Sequence, residues 1–89
     1  MHMPTRTMNE VMHSCLRDCG ECRDCCMRTV DHCLDLGGKY ADRKHIVALL
    51  DCADLCRIAA DAMLRSSEHA DDICGLCVTV CDACSDSCE

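Results

Sequence analysis

Cysteine and aliphatic residues recur along the chain at intervals of three and four residues, with charged residues between them. The period is clearest in the stretch SCLRDCGECRDCC, which starts at Ser14. On a helix that turns about 100° per residue, five cysteines of this region share one stripe about 60° wide. They are Cys15, Cys19, Cys22, Cys26 and Cys33, and Cys25 falls beside the stripe. The pattern predicts an amphipathic helix with sulfur on one side.

The C-terminal part of the chain repeats this design. Its cysteines step by 3, 4, 3 and 4 residues and span about 80° of a helix. They are Cys74, Cys77, Cys81, Cys84 and Cys88. The middle of the chain has a shorter version in Cys52 and Cys56, with His45 and Met63 on the same face. We therefore expect each of three helices to present sulfur to a common interior.

Aliphatic side chains occupy a second sector beside the sulfur on the first and third helices. The members are Leu16, Met27, Val30 and Leu34 on the first helix, and Ile73, Leu76 and Val80 on the third. We expect this sector to join helix to helix or subunit to subunit.

Two breaks divide the pattern. LGGKYAD contains paired glycines, which end helices, and RSSEHADD offers Ser66 or Ser67 as a helix N-cap. Thr7 and Glu10 form a capping box before the first helix. We predict an all-α fold, an antiparallel bundle with helices over about 8–36, 43–65 and 68–88 in one domain, residues 1–89. No strict alternation of apolar and polar residues competes with helix.

Composition makes sulfur chemistry the main theme. The chain has 13 cysteines in 89 residues, an odd number, and Tyr40 is its only aromatic residue. A formal net charge of −7 argues against nucleic acid as a partner. No apolar run resembles a signal peptide or approaches a membrane span, so we expect a cytoplasmic protein with reduced thiols and no membrane partner.

The helical spacing favours metal over disulfides. Residues three or four apart on a helix have Cβ atoms about 5–6 Å apart, whereas a disulfide needs about 3.5–4.5 Å. Soft thiolates select Cu(I), zinc or iron–sulfur clusters. A structural zinc site needs four ligands, and a stripe on one helix supplies pairs. Cu(I) accepts two or three thiolates, so we predict a row of sites holding several Cu(I) ions per chain.

Other interpretations of the same residues receive less support. CLRDCGEC matches an iron–sulfur spacing, but it lies inside a long helix without a loop. Glu10 and His13 match half of a di-iron motif that is needed twice. Two alternatives stay open, namely a zinc- or cadmium-sequestering protein of metallothionein type and a structural or redox-sensing helical module. No nucleophile with a base partner supports an enzyme. Methionines at such positions, here Met8, Met12 and Met63, are more often core residues than ligands.

Three stretches resemble a known family, the four-helix-bundle copper storage proteins. They are CLRDCGECRDCC, LLDCADLCRIAADAMLRSS and CGLCVTVCDACSDSC. The resemblance implies storage of Cu(I) without catalysis, in metal homeostasis in the cytoplasm, by a homo-oligomer (dimer or tetramer) that a copper chaperone could supply. It carries the ligand role onto all the cysteines, and it adds weight to His45 and Met63, because the family has such ligands near the open end of the bundle.

One departure from the family concerns the fourth helix. The family's bundle has a fourth helix with its own cysteines, and this chain ends after the third predicted one. Three sulfur-lined helices would leave the core open on one side. We expect the core to be completed by self-association or by a missing fourth helix.

Overall fold

A computed structural model describes the backbone of residues 4–88 and the side chains of Glu10 and residues 12–86. Its helices are α1 (Pro4–Leu36), α2 (Arg43–Leu64) and α3 (Ala70–Cys88), with a short 3-10 helix over Gly38–Ala41 before α2. Residues 4–88 contain no strand, so the predicted all-α class is confirmed. No helix in this range is long and apolar enough to cross a membrane.

The start of α1 differs from the prediction. The helix begins at Pro4 rather than near residue 8. Thr7 therefore lies inside the helix, and the predicted capping box is wrong.

The first break ends α1 as predicted. Gly37 and Gly38 adopt φ of 71° and 56°, a left-handed conformation that glycine reaches without a Cβ clash. The N–H of Gly37 donates to the carbonyl of Cys33 at 3.0 Å, which satisfies one of the last carbonyls of the helix. The 3-10 helix then turns the chain into α2.

The second break uses two neighbouring serines in different ways. Ser66 has φ of 53°, and its N–H donates to the carbonyl of Met63 while that of Ser67 donates to Ala62. This pair of bonds is a Schellman motif that closes α2. The hydroxyl of Ser67 accepts a hydrogen bond from the N–H of His69 at 3.1 Å. Ser67 thus stabilises the turn that leads into α3, which begins at Ala70 rather than near the predicted residue 68.

Helix α2 lies between the other two helices. Cys33, late in α1, meets His45, early in α2, and Cys56, late in α2, meets Cys77, early in α3. The helices therefore run up, down and up, which confirms the antiparallel bundle. Within the described residues, no Cα atom of α1 comes within 8 Å of one in α3. The molecule is a rod of 57 × 20 × 19 Å whose two outer helices are held apart by α2 and by side chains.

The buried core is small and rich in sulfur. Its members with at most 9% exposure are Cys26, Val30, Cys33, Leu49, Cys52, Ala53, Cys56, Ala59, Ala62, Cys77 and Cys84. Three of them are alanines of α2, whose small side chains allow a neighbouring helix to approach closely. Of the predicted aliphatic sector, Val30 is buried, whereas Leu34 and Leu76 are 57% and 54% exposed.

The two serines of the second break should respond to substitution with opposite signs. Ser66→Gly should stabilise the chain by about 0.5–1 kcal/mol, because glycine adopts a positive φ without strain. Ser67→Ala should destabilise it by about 1 kcal/mol, because the N–H of His69 loses its acceptor. Thermal and denaturant unfolding of the reduced, metal-free chain measures both. Equal shifts of the same sign would contradict this account of the turn.

Candidate metal centre

The three stripes of thiols meet in axial register. Cys22 of α1 lies 3.7 Å from Cys81 of α3, measured between Sγ atoms, although the backbones of these helices are far apart. Helices α1 and α3 run in the same direction. Successive cysteines are four, three and four residues apart in α1 and three, four and three residues apart in α3, so the two sets lie at matching heights along the bundle. Helix α2 supplies thiols to the same levels from the opposite direction.

The tightest assembly combines all three helices. The four-thiol group consists of Cys22, Cys52, Cys56 and Cys81, whose Sγ atoms all lie within 4.8 Å of one another. Cys52 and Cys56 are 1% exposed, and the other two are half-buried. Cys81 lies 2.9 Å from Cys52 and 3.6 Å from Cys56. The group can offer several soft ligands to one ion at the middle of the rod.

A second assembly adjoins it. The three-thiol group consists of Cys26, Cys52 and Cys84, again with all Sγ atoms within 4.8 Å of one another, and all three residues are buried. Cys52 belongs to both groups. A thiolate that bridges two ions could therefore link neighbouring sites into a cluster.

Thiols continue from the four-thiol group toward the far end of the bundle. The Sγ atom of Cys77 lies 3.7 Å from that of Cys56 and 3.8 Å from that of Cys81. Beyond it, Cys15 and Cys74 line a hollow of about 200 Å³ together with Cys19 and Met63. Met63, a predicted ligand, therefore lines the same hollow as these thiols.

A separate pair lies at the end of the bundle that carries the 3-10 helix. The Sγ atom of Cys33, which is 5% exposed, is 3.5 Å from Nε2 of His45. Both residues lie on the faces that the helical pattern predicts to carry sulfur. The side chains of Cys88 and Met8 lie outside the described residues, and Met12 is 37% exposed.

Cys25 differs from the other cysteines of α1 as the helical wheel predicted. It is exposed and belongs to neither close group. Its side chain nevertheless lines a hollow of about 350 Å³ together with Cys22, Cys26 and Cys84. The twelve cysteines whose side chains are described are all free thiols.

The hollows form a line along the open side of the rod, which we name the α1–α3 groove. Its middle hollow, of about 220 Å³, lies between Cys19, Cys22, Cys77 and Cys81, with Cys56 as its floor. Two exposed carboxylates, Asp18 and Asp82, stand at its rim. On the helical wheel, Asp18 lies only about 70° from the centre of the α1 stripe, so its carboxylate stands beside the thiols. Carboxylates here raise the local concentration of cations.

Burial favours the neutral form of several of these thiols. It raises the pKa of Cys26 from 9.0 to about 12, and burial together with the nearby thiols of Cys77 and Cys74 raises that of Cys19 to about 11. Burial also raises the pKa of Cys52 and of Cys56, and hydrogen bonding to neighbouring thiols adds to the effect. In the absence of metal, these side chains are small, uncharged core residues.

Cys22 is the exception. Burial opposes its ionisation, but hydrogen bonding with the thiols of Cys56, Cys52 and Cys81 outweighs it and lowers the pKa of Cys22. A thiolate here is surrounded by S–H donors, which favour its charged form. The four-thiol group therefore contains one thiol that ionises more readily than its neighbours.

Alkaline pH should unfold the metal-free chain. Above pH 9 the thiol of Cys26 ionises in the unfolded state, whereas the folded state holds its proton until the pH nears 12. The contribution of the neutral Cys26 thiol to the free energy of unfolding is complete below pH 9. Above pH 9 it falls by about 1.4 kcal/mol per pH unit. Circular dichroism melts of reduced, chelator-treated protein between pH 8 and 11 measure the loss.

The variant Cys26→Ala is the control for this prediction. Between pH 9 and 11, unfolding of this variant should release about one proton fewer than unfolding of the unsubstituted chain. Its stability should therefore depend less steeply on pH. A melting temperature that stays constant or rises over this range in the unsubstituted chain would contradict the assignment of neutral core thiols.

Known proteins share both the sequence pattern and the fold. The sequence model of the copper storage protein family, Csp, matches residues 8–89. The uncharacterized cysteine-rich protein YhjQ of Bacillus subtilis (strain 168) is 30% identical over 81 residues, which are 91% of this chain and 75% of that protein.

A solved structure extends the similarity to three dimensions. The crystal structure of the Nmul_A1745 protein from Nitrosospira multiformis superposes with a TM-score of 0.87 at 33% identity, over 90% of this chain and 74% of that one. The predicted family is confirmed, and it is a family of storage proteins rather than enzymes. The name of the family and the clustered thiols of this chain together indicate that the chain binds metal and that its partners include copper ions. The chain belongs to the copper storage protein family.

Proposed function

We propose that this protein stores or sequesters Cu(I), with several ions per chain bound by the thiols that line the bundle. The observation that carries the proposal is the pair of thiol groups that share Cys52. Adjacent groups with a common ligand suit an ion that accepts two or three thiolates and tolerates bridging. Storage requires adjacent sites, and two adjoining thiol groups with a common member support it.

The electrostatics of the core suit a monovalent ion. Each thiol must lose its proton to bind, so loading releases protons to solvent. A thiolate left alone in this core would be costly, and each Cu(I) offsets one such charge. The raised pKa values of Cys19 and Cys26 therefore predict tighter Cu(I) binding as the pH rises through the neutral range.

The proposed ligand set comprises every cysteine, together with His45 and Met63. Support is strongest for the residues of the two thiol groups, whose Sγ atoms lie within 4.8 Å of one another. It is equally strong for Cys77, whose Sγ atom lies 3.7 Å from that of Cys56. Cys33 with His45 and the hollow of Cys15, Cys74 and Met63 extend the row to the two ends.

Delivery and location follow from the chemistry of exchange. Thiols stay reduced in the cytoplasm, which is where we place this store. Cu(I) passes between thiolates by ligand exchange, so a copper chaperone is the donor that we propose. The exposed Cys15 and Cys25 lie beside the groove and offer thiols to such a donor.

We propose that a second copy of this chain covers the α1–α3 groove. The groove exposes thiols and the aliphatic side chain of Val78, which is 61% exposed and lines two hollows. Two-fold pairing would cover two such grooves with one interface, whereas an unrelated protein would cover one. Paired copies would also complete a four-helix arrangement around the sulfur, in a dimer or in a tetramer built from dimers.

Anaerobic titration with Cu(I) tests the proposed store. We expect thiolate-to-copper charge-transfer absorption that grows over several equivalents per chain, held against a strong Cu(I) chelator. Cys52→Ser should lower the capacity by at least one equivalent, because it removes a ligand from both thiol groups. Cys25→Ser, outside both groups, should change the capacity less.

Two outcomes would contradict storage. Saturation at one equivalent of Cu(I) would indicate a single site. Equal losses of Cu(I) capacity in the Cys52 and Cys25 variants would show that the capacity does not depend on the thiol shared by the two groups. If the cysteines were only core residues of a structural or redox-sensing module, Cu(I) would bind weakly and native alkylation would be slow.

The mass of the native protein tests the second copy. Reduced chain should run as a dimer or tetramer in light scattering and native mass spectrometry. Val78→Asp should weaken association by roughly tenfold or more, about 1.4 kcal/mol, by placing a charge in the groove. Val47→Asp on α2 is the matched control, since Val47 is also exposed but lines none of the three hollows. A monomer in the unsubstituted chain would refute the pairing.

A further inference from the structure

The fold brings together a set of ligands that no single helix provides. A stripe on one helix supplies only pairs of thiols, a pattern that favours Cu(I) over zinc. The four-thiol group takes one thiol from α1, two from α2 and one from α3 at the same level of the rod. Four thiolates that converge on one point are the ligands of a structural zinc site.

The distances match a tetrahedral ion. Four sulfurs at about 2.3 Å from Zn²⁺ lie about 3.8 Å from one another. Cys22 is 3.7 Å from Cys52 and 3.7 Å from Cys81, and Cys56 is 3.6 Å from Cys81. The pair Cys52 and Cys81, at 2.9 Å, must separate by about 0.9 Å, and the two remaining pairs lie within 4.8 Å. Rotation of the half-buried Cys81 side chain about χ1 achieves a shift of this size.

The surroundings suit a closed site. The two α2 thiols are 1% exposed, and the group supplies four ligands of one chemical type. Such a set leaves no position for water or substrate, which distinguishes structural from catalytic zinc. The adjacent three-thiol group has one ligand fewer, and Cys25, which lines the same hollow, is exposed and outside the close set.

An ion in this position would also act on the fold. Within the described residues, α1 and α3 make no close backbone contact, so their separation depends on side chains. A metal bound to Cys22 of α1 and Cys81 of α3 would link the two helices across the groove, with α2 as the third anchor. Binding energy of this kind adds to folding stability.

We propose that Cys22, Cys52, Cys56 and Cys81 bind one Zn²⁺ when Cu(I) is scarce, and that this ion fastens the three helices together until Cu(I) displaces it. The inference goes beyond copper storage, because it assigns a second metal and a structural role to one level of the row. Zinc release on copper loading is the consequence that distinguishes it from a general affinity of thiols for metals.

The test uses the full, reduced, copper-free chain under anaerobic conditions, with Zn²⁺ as the probe against a chromophoric zinc chelator. We expect one tightly held equivalent and a higher melting temperature with zinc. Cys81→Ser and, independently, Cys22→Ser should weaken zinc binding at least tenfold. Cys74→Ser, a thiol variant on the same helix outside the group, should change it less than threefold. Circular dichroism establishes that each variant is folded.

The outcomes separate this proposal from copper storage. Failure to retain zinc, uptake of several equal equivalents, or the same loss in the Cys74 and Cys81 variants would overturn it. Adding Cu(I) to the zinc-loaded chain should release one Zn²⁺ per chain, and retention of zinc at full copper loading would also overturn it. A chain that binds several Cu(I) ions but no Zn²⁺ would refute only the zinc site, whereas one that binds Zn²⁺ but a single Cu(I) would refute only storage.

Discussion

The neutrality of buried thiols is the condition on which this structure depends. The same sulfur atoms form the apolar core of the folded chain and the ligand row for metal. With no Phe or Trp and a single Tyr, the chain has little else with which to fill its interior. Protonated cysteines serve as small apolar residues, and ionised ones serve as ligands. Bound cations must therefore accompany the negative charge that enters the core, which couples loading to stability.

Axial register makes the row continuous. Helices α1 and α3 run in the same direction, so their alternating steps of three and four residues stay level with each other. Helix α2 needs only Cys52 and Cys56 to reach the middle levels, and fully buried Ala59 and Ala62 leave room for the neighbouring helices elsewhere. Because α2 supplies so few thiols to these levels, one of them, Cys52, lies between two levels and belongs to both thiol groups.

The sequence predicted the local structure well and the assembly of the site incompletely. Gly37 and Ser67 carry strong local signals, so the breaks could be placed within two residues. A helical wheel gives the angle of each cysteine but not its height relative to another helix, and so it could not reveal the four-thiol group. It likewise could not distinguish Val30, which is buried against α2, from Leu34 and Leu76, which remain exposed. Those outcomes depend on which helices touch, a property of the whole fold.

The separation of α1 and α3 links the remaining features. A fully closed three-helix core would bury Cys22 and Cys81 beyond the reach of an incoming ion, whereas the groove leaves both half-buried. The carboxylates of Asp18 and Asp82 stand beside the middle hollow, where they favour cations over anions without competing as soft ligands. Openness also leaves aliphatic and thiol surface in contact with water, which is unfavourable. The features that admit metal are therefore the same ones that favour a covering partner, so access and association compete for one surface.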